Sequence, residues 1–390
     1  MKLFKRKFSK NKKAEEISPR EKPDISSVEQ TSVAGRAPRA VRQLYKGAKQ
    51  LYSENLEYNL RLLRHRLPDP NLVTEEFIIG SRSQTKVAMA YLQDVANTGI
   101  AAEIKDRLSR IKAEIIPDSS YIERNIQDST WSPFPQVEII TNVNVTLTAL
   151  TQGRIAIFTD NCPDILIAPT TFFDILDTPE DAYRRWFVAS TFFRIARFLC
   201  FIIATLLPSF YIALTAFNPE LIPSALTFTI TAAREGTPFP IYLEAFILMG
   251  VAEVVRMVML RMPNTTGQSI SIFAGITLVL TGLITNIISG PIIIIVGLAI
   301  ISSFTIPGFD LRSTIRILQF FTMLMATLFG LFGVAVSLFY IFVHLSTLKS
   351  FGIPYMAPLS PTELSGWGHT IFRKSSVEMP QDETYKPQKK

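Results

Sequence analysis

Forty-eight consecutive residues, Met262 to Phe309, carry no charged side chain, and Gly290-Pro291 interrupts them near the middle. A helix needs about 20 apolar residues to cross the hydrocarbon of a bilayer, where every backbone amide must be paired within its own segment. An uncharged run of this length with a break predicts a hydrophobic hairpin, one arm over Gln268 to Ile288 and the other over Pro291 to Ile306. Two further uncharged blocks, Phe198 to Phe217 and Ile317 to Thr347, read as additional spans, the second long enough to tilt or to project beyond the lipid. Four spans are the minimum.

Charge is divided unevenly around these blocks. Met1 to Arg197 hold 29 of the 40 Lys and Arg and 24 of the 33 acids, whereas Phe198 to Leu345 hold five of each. The expected fold class is therefore an α/β cytoplasmic domain followed by a polytopic α-helical membrane domain with four or five transmembrane helices. The expected division is a basic disordered tail over 1–40, a soluble cytoplasmic domain over 41–190, a helical membrane domain over 191–347 and a C-terminal tail over 348–390. No apolar signal core follows the basic tract Met1 to Lys13, so the N-terminus is expected inside. The mild basic excess suits a domain beside an anionic leaflet and argues against nucleic-acid binding.

In the soluble half, Val41 to Arg66 has a basic helical pattern, and Lys86 to Leu92 reads as a buried strand. Ile100, Ile104, Leu108, Ile111 and Ile115 mark one helix face ended by Pro117, with Ser119 or Ser120 as the cap of the next helix. Strands are expected at Val137 to Thr141, Ile155 to Thr159 and Asp164 to Ala168. Asp174, Asp177, Glu180 and Asp181 precede Arg184, Arg185, Arg194 and Arg197, arginines that suit the cytoplasmic end of the first span. No phosphate-binding loop, dinucleotide fingerprint, zinc-protease helix or nucleophile elbow occurs, so neither enzyme chemistry nor a cofactor is expected. Cys162 and Cys200 form no motif, and His65, His344 and His369 lack metal-ligand spacing.

Ile241 to Met262 is apolar yet carries Glu244, Glu253, Arg256 and Arg261. A charge at the centre of a span costs about 2.5 to 3.5 kcal/mol, against about 0.3 to 0.6 returned by each large apolar residue. This segment either lies along the interface or lines a protein-enclosed, water-accessible cavity, with Glu253 and Arg256 placed to pair on one face. If it spans, there are five crossings and the C-terminal tail is outside; if not, there are four and the tail is inside, which better suits the positive-inside rule. Gly275 and Gly282 share a helix face near Thr281, Thr285 and Asn286, a pattern that serves close helix packing or the lining of a narrow conduit in an oligomer. With Arg234, Glu235, Glu244, Glu253 and Arg256 they form the candidate gating or pore region.

An ordered series of motifs resembles the A subunit of the GerA-type germinant receptors of endospore-forming bacteria, whose relatives include a spore membrane protein of the VA operon. The similarity covers roughly residues 80 to 361. In the first half it includes Ser132-Pro133-Phe134-Pro135-Gln136-Val137, Gly153-Arg154-Ile155-Ala156-Ile157 and Pro169-Thr170. In the second it includes Leu207-Pro208, Pro219-Glu220-Leu221-Ile222-Pro223, Arg234-Glu235, Pro238-Phe239-Pro240, Glu244, Arg316, Gly330, Gly333, His344-Leu345 and Ser350-Phe351-Gly352-Ile353-Pro354-Tyr355. The chain departs from the family pattern at Thr141 to Val145 and in the span Phe273 to Ser289.

The resemblance implies a multi-pass protein of the spore inner membrane, a homo-oligomer in contact with lipid, working with a transporter-like B subunit and a lipoprotein C subunit. It implies a subunit of a nutrient-responsive receptor that forms or gates an ion-release channel, or else an auxiliary relative that amplifies release without sensing nutrients. From other classes, a secondary transporter predicts an internal repeat, which is not evident, and a membrane-tethered enzyme predicts a reactive cluster within residues 80 to 170.

Overall fold

The computed structural model describes residues 50–178, 187–261, 264–360 and Tyr385. The tail over 1–40, the start of the expected Val41 to Arg66 helix, Glu180, Asp181, Arg184, Arg185 and most of the C-terminal tail lie outside these residues.

The first half opens with helix α1 (Leu56–Arg66), capped by the Asn55 side chain, which accepts from the Tyr58 amide. Strands β1 (Leu72–Ile79) and β2 (Thr85–Leu92) follow, then helices α2 (Thr98–Arg110) and α3 (Ser119–Ile126). Strand β3 (Glu138–Ile140), helix α4 (Val143–Thr151), strands β4 (Ile155–Thr159) and β5 (Ile165–Ala168) and the short helix α5 (Phe172–Leu176) complete this half. The five strands form one sheet in the order β1-β2-β4-β5-β3, with every neighbouring pair antiparallel.

Both faces of this sheet are covered. Val87, Met89, Ile155, Ile157 and Leu166 pack on Ile104 and Leu108 of α2 and on Ile122 of α3. The alternate residues Ala88, Ala90, Phe158 and Ile167 pack on Leu60 and Leu63 of α1 and on Leu150 of α4. Double coverage explains why the strands read as continuous apolar runs rather than alternating ones. Helix α2 ends at Arg110, short of the expected Ile115, because the Ala113 and Glu114 carbonyls instead accept from the Ser81 and Arg82 amides. The cap of α3 is Asp118, one residue before the expected serines; its carboxylate accepts from the Tyr121 amide at 3.2 Å.

The second half is helical: α6 (Phe187–Ala216), α7 (Ser224–Ala233), α8 (Ile241–Arg261), α9 (Asn264–Ile284), α10 (Gly290–Phe304) and α11 (Phe309–Thr347), before the small hairpin β6 (Lys349–Ser350) and β7 (Ile353–Pro354). By length and composition, Ser190–Ala216 and Phe309–Thr347 are long and apolar enough to cross a membrane. The break expected at Gly290-Pro291 is where α10 begins, with Pro291 in its first turn.

Helix α11 is not the single tilted span expected over Ile317 to Thr347. Phe321 and Tyr340 are 19 positions apart, about 28 Å along a straight helix, yet their rings lie 5.7 Å apart. The reversal is at Gly330, with φ 60° and ψ −138°. A side chain there would meet both the left-handed backbone penalty and the Phe217 ring, whose Cγ is 2.9 Å from the Cβ position. The arm over 309–329 runs away from the sheet domain, and the arm over 331–347 comes back to it.

This reversal defines two ends of the helical half. At the domain end, Phe134 and Phe172 pack with Phe201 of α6, Ile315 and Leu345 of α11, and Tyr355. At the far end, Tyr211 and Ile212 of α6 pack with Ala245 of α8, Ile292 of α10, and Met323 and Val334 of the two α11 arms. Helix α8 runs antiparallel to the 309–329 arm, because Phe246 stacks on Phe320 and Glu253 faces Arg316. Thus α6, α8, α9, α10 and the two α11 arms make six passes between these ends among the described residues, and the last returns the chain to the sheet domain.

Candidate functional site

Glu244 and Glu253 lie on the same helix, about 13 Å apart along its axis, and each organises its own cluster. Glu244 is fully buried. One carboxylate oxygen accepts from Arg234 Nη2 at 3.2 Å, and the other accepts from the Ser289 amide at 3.0 Å and the Ser289 hydroxyl at 2.7 Å. Ser289 is the N-cap residue of α10, so the carboxylate also faces a helix N-terminus, where negative charge is favoured. Arg234 closes α7, and its neighbour Glu235 is exposed. Both line an open cleft of about 470 Å³ with Thr215, Pro219, Thr227 and Thr231.

The second cluster lies at the domain end. Glu253 pairs with Arg256 on the same helix face, as its spacing predicts, and Arg316 Nε approaches from the 309–329 arm at 4.0 Å. Arg316 also donates to the Ser313 hydroxyl at 2.6 Å. The two guanidiniums stand over aromatic rings, Arg256 at 5.6 Å from Phe304 and Arg316 at 5.9 Å from Phe309. Pairing of Glu253 with Arg256 offsets part of the cost that the sequence assigns to these charges.

The other candidate residues are elsewhere. Gly275 has open space where a side chain would stand, and Gly282 packs against Ile288. The Thr285 hydroxyl donates to the Thr281 carbonyl at 2.7 Å, and Asn286 takes a positive φ in the turn before α10. Phe273, Ile276 and Ile284 on the same helix are exposed. Within one chain, this stretch of α9 therefore presents an outer surface.

A polar band inside the bundle has no counterpart in the sequence reading. The Ser209 hydroxyl donates to Thr322 Oγ1 at 2.7 Å, and Thr322 donates to the Thr205 carbonyl at 2.9 Å. Gln319 is buried one turn away, and its amide nitrogen has no hydrogen-bond partner in the structure. Serines and threonines in apolar helices commonly bond within their own helix, so sequence gives little sign of a pairing across helices.

The seam with the sheet domain gathers several motifs that carry the family resemblance. Ser132 Oγ and His344 Nε2 are 2.9 Å apart, and the Thr314 hydroxyl donates to the Pro133 carbonyl, so adjacent loop residues hold both ends of α11. The Tyr355 hydroxyl donates to the Pro135 carbonyl at 2.7 Å, and the Ser350 hydroxyl donates to the Gln136 carbonyl at 2.8 Å. Arg194 pairs with Asp177, and Arg197 lies 3.9 Å from the same carboxylate, fastening the start of α6. On α3, burial and the nearby Asp310 charge push the Glu123 carboxyl from 4.5 up to about 7. No group of three or more His, Cys, Asp or Glu side chains suited to a metal ion occurs among the described residues.

Comparison with known proteins decides the family. The family described as Bacillus/Clostridium GerA spore germination protein matches residues 25–385. The chain belongs to the GerA family of spore germination proteins. It is 36% identical to spore germination protein GerLA of Bacillus cereus over 336 residues, 86% of this chain and 68% of that protein. It is 33% identical to spore germination protein A1 of Bacillus subtilis, over 87% of this chain and 70% of that protein. Against the uncharacterized membrane protein YfkQ of Bacillus subtilis the identity is 37%, over 81% of this chain and 61% of that protein, so the chain spans about three fifths to seven tenths of such relatives. Among solved structures, the N-terminal domain of the A subunit of the Bacillus megaterium spore germinant receptor GerK3 is similar at 36% identity, covering 32% of this chain and 98% of that one, with a TM-score of 0.27.

Proposed function

We propose that this chain is a non-catalytic subunit of a nutrient-responsive spore germination receptor, held in the spore inner membrane, and that it forms or gates an oligomeric ion-release channel. The observation that carries the reading is the seam: one loop of the sheet domain holds both ends of a folded-back apolar helix whose first arm also contacts Glu253. A displacement of the domain would therefore act on both arms together and on the charge cluster between α8 and α11. The exposed Thr281 and Thr285 of α9 and the open space at Gly275 support a conduit built between copies of the chain. A transporter-like B subunit and a lipoprotein C subunit are the partners in this reading. In this reading the six passes are six crossings, more than the four or five the sequence suggests, and the hairpin β6–β7 lies on the side of the sheet domain.

The test is monovalent-cation release from spores lacking the gene, scored nutrient by nutrient against the parent. Loss of release to one nutrient class with others intact is the expected result. Uniform slowing reassigns the chain to the auxiliary role, and unchanged release to every nutrient removes the channel reading.

A further inference from the structure

The cluster around Glu253 is overcharged. The charged groups acting on Arg256 are one carboxylate, Glu253, and two guanidiniums, Arg316 and Arg312. Residues 262–309 hold no acid, so α9 and α10 supply no counter-charge. Helix α6 has none either, and its own arginines turn to Asp177. Asp310 is two residues before Arg312, about 200° around the helix, and acts on Glu123 in the sheet domain. Arg256 and Arg316 thus share one carboxylate among the described residues, at a place where Glu253, Arg256 and Arg316 are each less than one fifth exposed, and Arg312, whose Nε donates to the Gly308 carbonyl at 3.0 Å, adds a third positive charge beside Arg256. Water alone is a poor counterpart for that excess.

The position suggests what balances it. Arg316 is adjacent to Ile315, which packs in the seam beneath the sheet domain, so the cluster marks the end of the apolar layer. Phe304 and Phe309, the rings beneath Arg256 and Arg316, are themselves 56% and 55% exposed. Guanidiniums pair bidentately with phosphate oxygens, and basic clefts between helices at the cytoplasmic face suit anionic headgroups.

We infer that Arg256, Arg312 and Arg316 bind the phosphate of an anionic phospholipid headgroup, with Phe304 and Phe309 against its acyl chains. This requires that the helices lie in a bilayer and is independent of whether the assembly conducts ions. Lipid bound here would stiffen the α8 to α11 contact.

Full-length protein is reconstituted in nanodiscs of phosphatidylcholine with a minor fraction of phosphatidylglycerol, re-extracted, and its retained lipid counted by mass spectrometry. Phosphatidylglycerol is enriched over its bulk fraction on the native chain, and the enrichment falls about fivefold in each of Arg256→Gln, Arg312→Gln and Arg316→Gln. Arg61→Gln, on the exposed face of α1, leaves it unchanged. Absence of enrichment on the native chain overturns the assignment without reference to any variant, as does full enrichment in the triple variant. A second arm adds millimolar inorganic phosphate to phosphatidylcholine-only discs. Thermal protection equal to that from phosphatidylglycerol makes free phosphate the ligand and removes the lipid; no protection supports the headgroup.

Discussion

The sheet domain and the helical half differ in what fills their centres. In the sheet domain the side chains from β2, β4 and β5 that fill the two cores are apolar, and helices close both faces. In the helical half, Glu244, Ser209, Thr322 and Gln319 are buried among apolar neighbours while Phe332, Phe339 and Ile284 are exposed. Water drives the first arrangement, because apolar area removed from it stabilises by about 25 cal/mol per Å². Lipid tails are as apolar as leucine, so helices surrounded by them gain little from that effect and are held by close packing, hydrogen bonds and charge pairs. The seam lies where one regime gives way to the other: there the Thr314 and Tyr355 hydroxyls donate to domain carbonyls, and His344 meets the Ser132 hydroxyl.

Five substitutions sharpen this contrast. The largest effect is expected from Gly330→Val, which adds a β-branched side chain at positive φ against Phe217. Loss of the monodisperse species in detergent size exclusion is the predicted outcome, and a normal profile would refute the tight reversal. Next come two changes of about 3 kcal/mol each from different causes. Leu63→Ala leaves a cavity in the sheet domain, whereas Glu244→Ala strands Arg234 and the Ser289 donors. Thermal unfolding of the full chain reads both, and if Glu244→Ala is neutral the charge pair holds nothing together.

A smaller effect concerns pH at the seam. The Glu123 carboxyl stands at about 7 in the folded chain, against 4.5 as its ordinary value. Stability from its neutral form is therefore fully present below about pH 4.5 and is lost as pH rises through 7. Glu123→Gln removes this dependence, so the native chain should lose melting temperature relative to the variant across that window. Parallel pH curves would contradict the buried, proton-holding environment. The smallest change is Ser209→Ala, expected to cost about 0.6 to 1 kcal/mol as a single bond between apolar helices. A cost as large as that of Leu63→Ala would blur the distinction between the two halves.

Much of this architecture was legible in the sequence, and the gaps have physical causes. The uncharged run from Met262 marked α9 and α10, and strands at Lys86 to Leu92 and Ile155 to Thr159 were visible because both sheet faces are buried. Strand β1 was not visible: it is an edge strand whose Glu75 and Glu76 interrupt any apolar pattern. Glycine is common in apolar helices, so Gly330 gave no sign of a reversal that depends on Phe217 and the returning arm. Glu244 and the Glu253 to Arg256 pair were picked out as misplaced charges. Their partners Ser289 and Arg316 come from distant positions, and only folding brings them near.

The folded-back helix holds the account together, because it brings both of its ends to one loop of the sheet domain. With Cys162 and Cys200 replaced by serine, Phe321→Cys and Tyr340→Cys can be joined by a short bifunctional thiol reagent in the full-length protein in membranes. Efficient cross-linking within one chain is the predicted result, given rings 5.7 Å apart. Two thiols that stay unlinked within the chain, as at the ends of a straight segment about 28 Å long, would contradict it.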